Sequence, residues 1–337
     1  MKKATIIIVL GVLCVAAAVL APRYLCQYKK SVAEKTTIYI PLQSYYTQIL
    51  DSVATAVQDM KSFEKAAKIA GLQESFKPGR YTFTPDKSNK DIVRMLKMGW
   101  ESPMMLTLSG NIRGLEKLSG ILGKRLAADS AAFMQHFSKE EVWSANGFGK
   151  ETFMAMFLPN TYEVYWTISP EKFVERMKKE YDKFWNSERS SRAKEIGLTP
   201  LEVSILASIV CEETNYGPEM PAVAGVYMNR LNRGMKLDAD PTVKFALNDP
   251  TIKRILFRHL EVESPYNTYK NTGLPPGPIT IPSIKGIDAV LNYAQHNYLY
   301  FCANANMDGT HKFARTLSEH NRNAREYQAA LNRMKIR

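Results

Sequence analysis

"LASIVCEETNYG", residues 206–217, opens as an apolar helical pattern and closes on two adjacent carboxylates followed by turn residues. The residues ahead of it set the helix: Thr199 suits an N-cap, and Pro200 fits the first helical turn. At about 100° per residue, Ile205, Leu206, Ile209 and Val210 form one stripe. Glu213 lies four residues after Ile209 and three after Val210, within that stripe. Glu212 falls on its edge, and Cys211 points roughly the other way. The pattern predicts an inward Glu213 and a Glu212 at the rim. Poor solvation favours the acid form of a carboxyl, which is what a general acid needs near neutral pH. Helical phase alone leaves a structural role open, in which Glu213 bonds to nearby backbone or to an arginine such as Arg230.

Working outward, 337 residues can hold about two domains. A composition 45% hydrophobic and 23% charged is that of a globular chain, and no segment is of low complexity. The net charge of +12 suits nucleic acid, an anionic membrane surface or an acidic polymer. No helix-turn-helix, zinc-finger or RRM-type signature accompanies it, so nucleic acid is not expected as a partner. Four cysteines are too few for a disulfide framework. The five histidines show no metal-ligand spacing, so neither a metal nor a cofactor is expected. Cys211 and Cys302 fall in the globular part, and the sequence does not say whether they pair.

The run ATIIIVLGVLCVAAAVLA, which begins at Ala4 and ends at Ala21, follows Lys2 and Lys3 and carries no charge. It is just long enough to span a bilayer, and an uncleaved anchor is favoured over a secretory signal. Basic residues on both sides leave orientation unsettled. The short N-terminal tail argues that this end stays inside and the bulk is exported.

From Thr36 the chain reads as strand-then-helix units. "TTIYIPL" alternates like a strand, "SYYTQILDSVATAV" follows as a helix, and residues 62–70 as another. "KPGRYTFTP" gives a turn and a strand. "SNKDIVRMLKMG" gives a helix with Ser88 or Asn89 as cap and Gly99 as stop. Signals past Gly110 are mainly helical up to Trp185, except for "FLPNTYEVYW", a strand or packed loop. The last third mixes helices and strands with turns rich in Asn, Tyr, Thr and Gly-Pro. The fold class expected is α+β: an N-terminal transmembrane helix with linker over 1–35, a small α/β module over 36–102 and a larger α+β domain over 103–337.

A glycosidase that works with two carboxylates needs a partner acid. Asp238 and Asp240, in "KLDADPTV", are the candidates, although Asp240-Pro241 also reads as a turn start. "GLPPGPI" is either a rigid turn or a groove wall.

These stretches together resemble the endolytic murein transglycosylase (YceG-like) family. The likeness runs through "LASIVCEET", "VAGVYMNRLNRGMKLDADPTV", "YNTYKNTGLPPGPI", "YLYFCA" and "HKFARTLSEHN", and more weakly through "LPNTYEVY" and "PGRYTF". It implies an inner-membrane anchor, a LysM-like module over 36–102 and an exported, periplasmic catalytic domain. It further implies cleavage of the β-1,4 bond between N-acetylmuramic acid and N-acetylglucosamine in nascent peptidoglycan strands. The products would end in 1,6-anhydro-muramic acid, strand elongation would stop there, and peptidoglycan synthases would be the partners. The family's catalytic glutamate precedes threonine, which here is Glu213 before Thr214. Two positions earlier the family usually has glutamate, and this chain has Cys211. Asn229, Asp240, Thr242, Asn267 and Tyr269 are the residues expected to line the groove and bind the sugars. A lysozyme-like muramidase using Glu213 with Asp240 and a non-catalytic peptidoglycan-binding scaffold are the competing readings.

Overall fold

The computed structural model describes residues 2–249, 251–252 and 254–334. The chain divides into two compact units. One comprises Met1–Leu106, Gly123–Asp129 and Tyr162–Ser169, and the other Thr107–Leu122, Ser130–Thr161 and Pro170–Arg337.

The first unit holds α1 (Lys2–Tyr28), β1 (Thr36–Ile40), α2 (Tyr46–Ala54), α3 (Met60–Ile69), β2 (Gly79–Phe83) and α4 (Asn89–Met98). β1 and β2 pair antiparallel, from Thr36 opposite Phe83 to Ile40 opposite Gly79. Alternate residues of each strand turn inward, so Ile38, Ile40, Tyr81 and Phe83 join Ile49, Val53, Phe63, Ile92 and Leu96 in one core. Tyr81 is fully buried and donates its hydroxyl to the Lys77 carbonyl at 2.9 Å. α4 starts in a capping box between Ser88 and Asp91 and ends at Gly99, whose φ of 69° terminates the helix in the left-handed region.

Within α1, Ile6–Tyr28 is long and apolar enough to cross a membrane, with a mean hydropathy of 2.5 over its most apolar 18 residues, none of them buried. The end of this helix is built into the unit. Cys26 is buried, and its carbonyl accepts from the Asn89 side-chain amide at 2.9 Å.

The second unit is mostly helical: α5 (Gly114–Gly123), α6 (Ser130–Phe137), α7 (Glu140–Ala145), α8 (Pro170–Phe184), α9 (Ser187–Glu195), α10 (Pro200–Glu213), α11 (Met220–Asn232), α12 (Asp240–Leu247), α13 (Ile284–Leu291) and α14 (Leu317–Arg333). β3 (Met104–Leu108) pairs with β4 (Asn160–Val164), and both carry the chain from one unit to the other. β5 (Tyr300–Ala303) pairs antiparallel with β6 (His311–Ala314).

α10 is the centre of this unit and packs against α9, α11, α12 and α13. Thr199 caps it through a reciprocal box with Glu202, and Pro200 opens the first turn. Every residue from Val203 to Cys211 is buried. The helix therefore has no solvent face, and the apolar stripe read from the sequence is one part of a surface that is buried all round. Cys211, on the side away from that stripe, is buried against α13. Any Cβ at Gly286 would collide with the Cys211 Sγ, and that sulfur lies 3.3 Å from the Ser283 hydroxyl.

The Gly-Pro loop is a rigid turn fixed to α10. Buried Ser208 accepts from the Ile279 N–H at 3.0 Å and donates to the Ile205 carbonyl at 2.7 Å. A side chain at Gly277 would collide with the Glu151 carbonyl.

Candidate active site

α10 ends at the floor of a groove of about 390 Å³. Glu213, Tyr227, Arg230, Asp238, Asp240 and Tyr269 line one part of it, and Tyr300, Phe301, Cys302, His311, Leu317 and His320 the other. Three elements meet here because each is pinned by buried polar bonds. Arg230, on α11, is buried and donates to the carbonyls of Leu299, Lys236 and Leu237 at 2.6, 3.1 and 3.0 Å. Its guanidinium also meets the Asp238 carboxylate at 2.9 Å and lies over the Tyr300 ring. One side chain thus fixes the loop before α12 to the strand β5. On the far wall, His311 Nδ1 lies 2.7 Å from a Glu219 oxygen.

Glu213 is enclosed by protein except towards the groove. Tyr227, fully buried on α11, donates its hydroxyl to Glu213 Oε1 at 2.6 Å. Burial pushes the Glu213 carboxyl up to about 7. The Tyr227 hydrogen bond and the Arg230 charge pull the other way, while the Asp240 and Glu212 carboxylates add to the rise. The carboxyl is therefore part protonated at neutral pH, with Oε1 occupied by a donor and Oε2 left for the groove.

Glu212, its neighbour, goes elsewhere. It is half-buried and forms an ion pair with Arg113, 99 residues earlier in the chain. The separation of the two acids expected from helical phase is present. Its cause is not a stripe but the end of the helix: Glu213 meets α11 and Glu212 meets the loop before α5.

The five residues expected to bind sugar divide into two groups. Asp240 and Tyr269 line the groove with Glu213, and the Tyr269 hydroxyl donates to Asp240 Oδ1 at 2.7 Å. Burial and the Asp240 carboxylate drive the Tyr269 hydroxyl well above its ordinary pKa. The other three do not line the groove: Thr242 and Asn267 are buried, and Asn229 is part-exposed elsewhere. Thr242 is fully buried, donates to the Ala239 carbonyl at 2.7 Å and sits 2.8 Å from the Thr268 hydroxyl. Asn267 is fully buried and donates to the Leu260 and Val262 carbonyls, each at 2.8 Å. Its side-chain oxygen accepts from the Tyr269 N–H at 3.0 Å. Asn229 donates to the His296 and Tyr298 carbonyls at 2.7 and 2.9 Å. These side chains hold the backbone that carries Asp240, Tyr269 and the approach to β5.

Tyr227, Tyr300, His311 and His320 were not singled out in the sequence. For Tyr227 a signal existed: it lies fourteen residues after Glu213, on the adjacent helix. Cys211 and Cys302 are both free thiols. Cys302 lines the groove, and burial raises its thiol pKa.

The YceG-like family model matches residues 38–326. An endolytic murein transglycosylase of Bacillus subtilis (strain 168) is 41% identical over 127 residues, which are 38% of this chain and 34% of that protein. Another, from Streptococcus pneumoniae serotype 2 (strain D39), is 31% identical over 173 residues, 50% of this chain and 31% of the relative. The matches thus span about a third of the length of these curated relatives. A crystal structure of a yceG-like protein from Listeria monocytogenes superposes with a TM-score of 0.58 at 26% identity, over 86% of this chain and 98% of that one. With the family match running through both units and across the groove that ends α10, the chain belongs to the YceG-like family.

Proposed function

We propose that the chain is a lytic transglycosylase of peptidoglycan, with Glu213 as its acid and base. The observation that carries this is the Glu213 carboxyl at the end of a buried helix, raised to about 7 and fixed by Tyr227 at the floor of a groove. Its relatives' name, endolytic murein transglycosylase, supports the same reading.

In this mechanism protonated Glu213 gives its proton to the oxygen of the β-1,4 bond between N-acetylmuramic acid and N-acetylglucosamine. The C1–O4 bond breaks, and the leaving strand departs with a free 4-hydroxyl. The carboxylate so formed takes the proton of the muramyl 6-hydroxyl as O6 bonds to C1. One strand ends in 1,6-anhydro-muramic acid, no water is consumed and the carboxyl is reprotonated. A single group cycling between acid and base near pKa 7 suffices. Asp240 and Tyr269 bind the sugars in this reading, supported by their position in the groove with Glu213. Asn229, Thr242 and Asn267 take positioning roles, since their polar atoms are spent on backbone and neighbouring hydroxyls.

A second reading rests on Asp240, which shares the groove: a hydrolytic muramidase with Asp240 as second carboxylate. The Tyr269 hydrogen bond leaves Asp240 one oxygen for such a role.

The same proposal covers the rest of the chain. Residues 1–35 form an anchor and linker in the inner membrane, supported by the apolar Ile6–Tyr28 helix. Residues 36–102 form a LysM-like module, supported by their own hydrophobic core. Residues 103–337 form the catalytic domain in the periplasm. Cleavage there ends strand elongation, and peptidoglycan synthases are the partners.

Replacing the acid tests the reading. Glu213→Gln is expected to lower the rate of glycan-strand cleavage by about 10²–10⁴-fold, the range for loss of a general acid. Digestion at the wild-type rate would remove Glu213 from the mechanism.

A further inference from the structure

A second cavity, of about 440 Å³, lies in the same unit and holds charges of both signs. Arg113 and Lys244 supply the positive groups, Glu116 and Asp249 the negative ones, and Phe245 an apolar surface. Two connections tie it to Glu213. Arg113 holds Glu212, the residue beside Glu213 in the chain. α12 runs along both cavities: Asp240, its first residue, lines the groove, and Lys244 lines the second cavity. Residues four apart share a helix face, with a rise of about 6 Å between them. The second cavity is therefore within reach of a group on a sugar next to the one at Glu213.

The charges are not consumed by the fold. Arg113 gives one nitrogen to Glu212 and keeps other donors. Asp249 accepts from the Thr251 N–H and hydroxyl, at 2.8 and 2.7 Å. Lys244 and Glu116 have no ion pair among the described residues. N-acetylglucosamine is neutral and a bare muramyl residue brings only its lactyl carboxylate, whereas a short peptide with free carboxylate and ammonium groups complements charges of both signs.

We propose that this cavity seats the peptide substituent of a muramyl residue on the strand being cleaved, with Lys244 and Arg113 taking its carboxylates and Glu116 and Asp249 its ammonium group. The inference rests on the reading of the groove as a glycan-cleaving site. It makes the enzyme prefer strands that still carry their peptides, with α12 as the ruler between the scissile bond and the peptide.

The test uses the full chain with Glu213→Gln, which holds strands uncleaved. Dissociation constants are measured for uncrosslinked strands bearing peptides and for the same strands stripped of them by an amidase. Peptide-bearing strands are expected to bind about tenfold tighter, the worth of one charge-assisted contact. Adding Lys244→Glu should erase that preference, weakening peptide-bearing strands more than stripped ones, which keep only the lactyl carboxylate of each muramyl residue. Lys244→Met, which keeps the aliphatic stem, should weaken the preference without erasing it. Equal binding of both strands by the parent, a preference that survives Lys244→Glu, or equal weakening on both strands would each overturn the proposal. If Glu213→Gln still cleaves, the catalytic reading fails, and the preference is then read from initial rates on the two strands, so the two failures are distinct.

Discussion

Helices α4 and α10 begin alike. Each has a hydroxyl residue at the N-cap and a carboxylate three residues on, Ser88 with Asp91 and Thr199 with Glu202, closing a reciprocal box. They differ in what surrounds them and in how they stop. α4 buries Asn89, Ile92, Val93 and Leu96, leaves Lys90, Asp91 and Arg94 exposed, and ends on Gly99. α10 is buried all round from Val203 to Cys211 and ends on two carboxylates held by partners from other elements. The first helix stops where its backbone needs a left-handed residue. The second stops where Glu213 reaches the groove and the Tyr227 hydroxyl. An energetically unfavourable end, with acids at the negative pole of the helix dipole, is tolerated there because Tyr227 and Arg113 stabilise them.

The contrast predicts how each helix responds to change. Leu206→Ala, on the fully enclosed helix, should cost about 2–5 kcal/mol of unfolding free energy, read by denaturant titration. A loss below 1 kcal/mol would mean that α10 is not the packed centre.

Glu213→Gln should stabilise the fold at alkaline pH while it slows cleavage. The carboxyl shifts from 4.5 to about 7, so between those values the folded chain holds a proton that the unfolded chain has lost. Stability from that proton is full below about 4.5 and is lost as pH rises through about 7. The amide escapes this cost, a gain at pH 8 of up to about 3 kcal/mol. Thermal melts at pH 5 and pH 8 check this, and an equal effect at both would contradict the raised pKa.

Tyr227→Phe should lower kcat about tenfold, the worth of one hydrogen bond to a charged group, with KM little changed. Because this hydroxyl lowers the Glu213 pKa, its removal should move the alkaline limb of the activity profile to higher pH. The other charged or titratable groups facing Glu213, namely Arg230, Asp240, Glu212, Tyr269, His311 and His320, are unchanged by the substitution. A profile that falls in height without shifting would make Tyr227 structural only. Ser88→Ala, at the start of α4, should cost about 1 kcal/mol of stability and leave the pH profile of cleavage unaltered.

Much of this contrast was legible in the sequence. The caps and Gly99 lie within one turn of the residues they serve, so local chemistry specifies them. The interior of α10 was legible as apolar but not as enclosed, because a helix buried on all sides lacks the period that reveals a face. The stripe that points to Glu213 is only part of the buried surface. The Glu213 partner Tyr227 and the Arg113–Glu212 pair depend on contacts that no local pattern encodes. Asn229, Thr242 and Asn267 were expected in the groove because their groups suit sugar hydroxyls and amides. The same groups suit backbone carbonyls equally well, and in the fold they are used there.

The central claim is that Glu213 drives attack by the sugar's own 6-hydroxyl. Mass spectrometry of glycan-strand products formed in ¹⁸O-enriched water tests it most directly. The account predicts new ends that carry 1,6-anhydro-muramic acid, lack the mass of water and hold no ¹⁸O. Reducing ends that incorporate ¹⁸O would contradict it and assign the groove to a hydrolase working through Asp240.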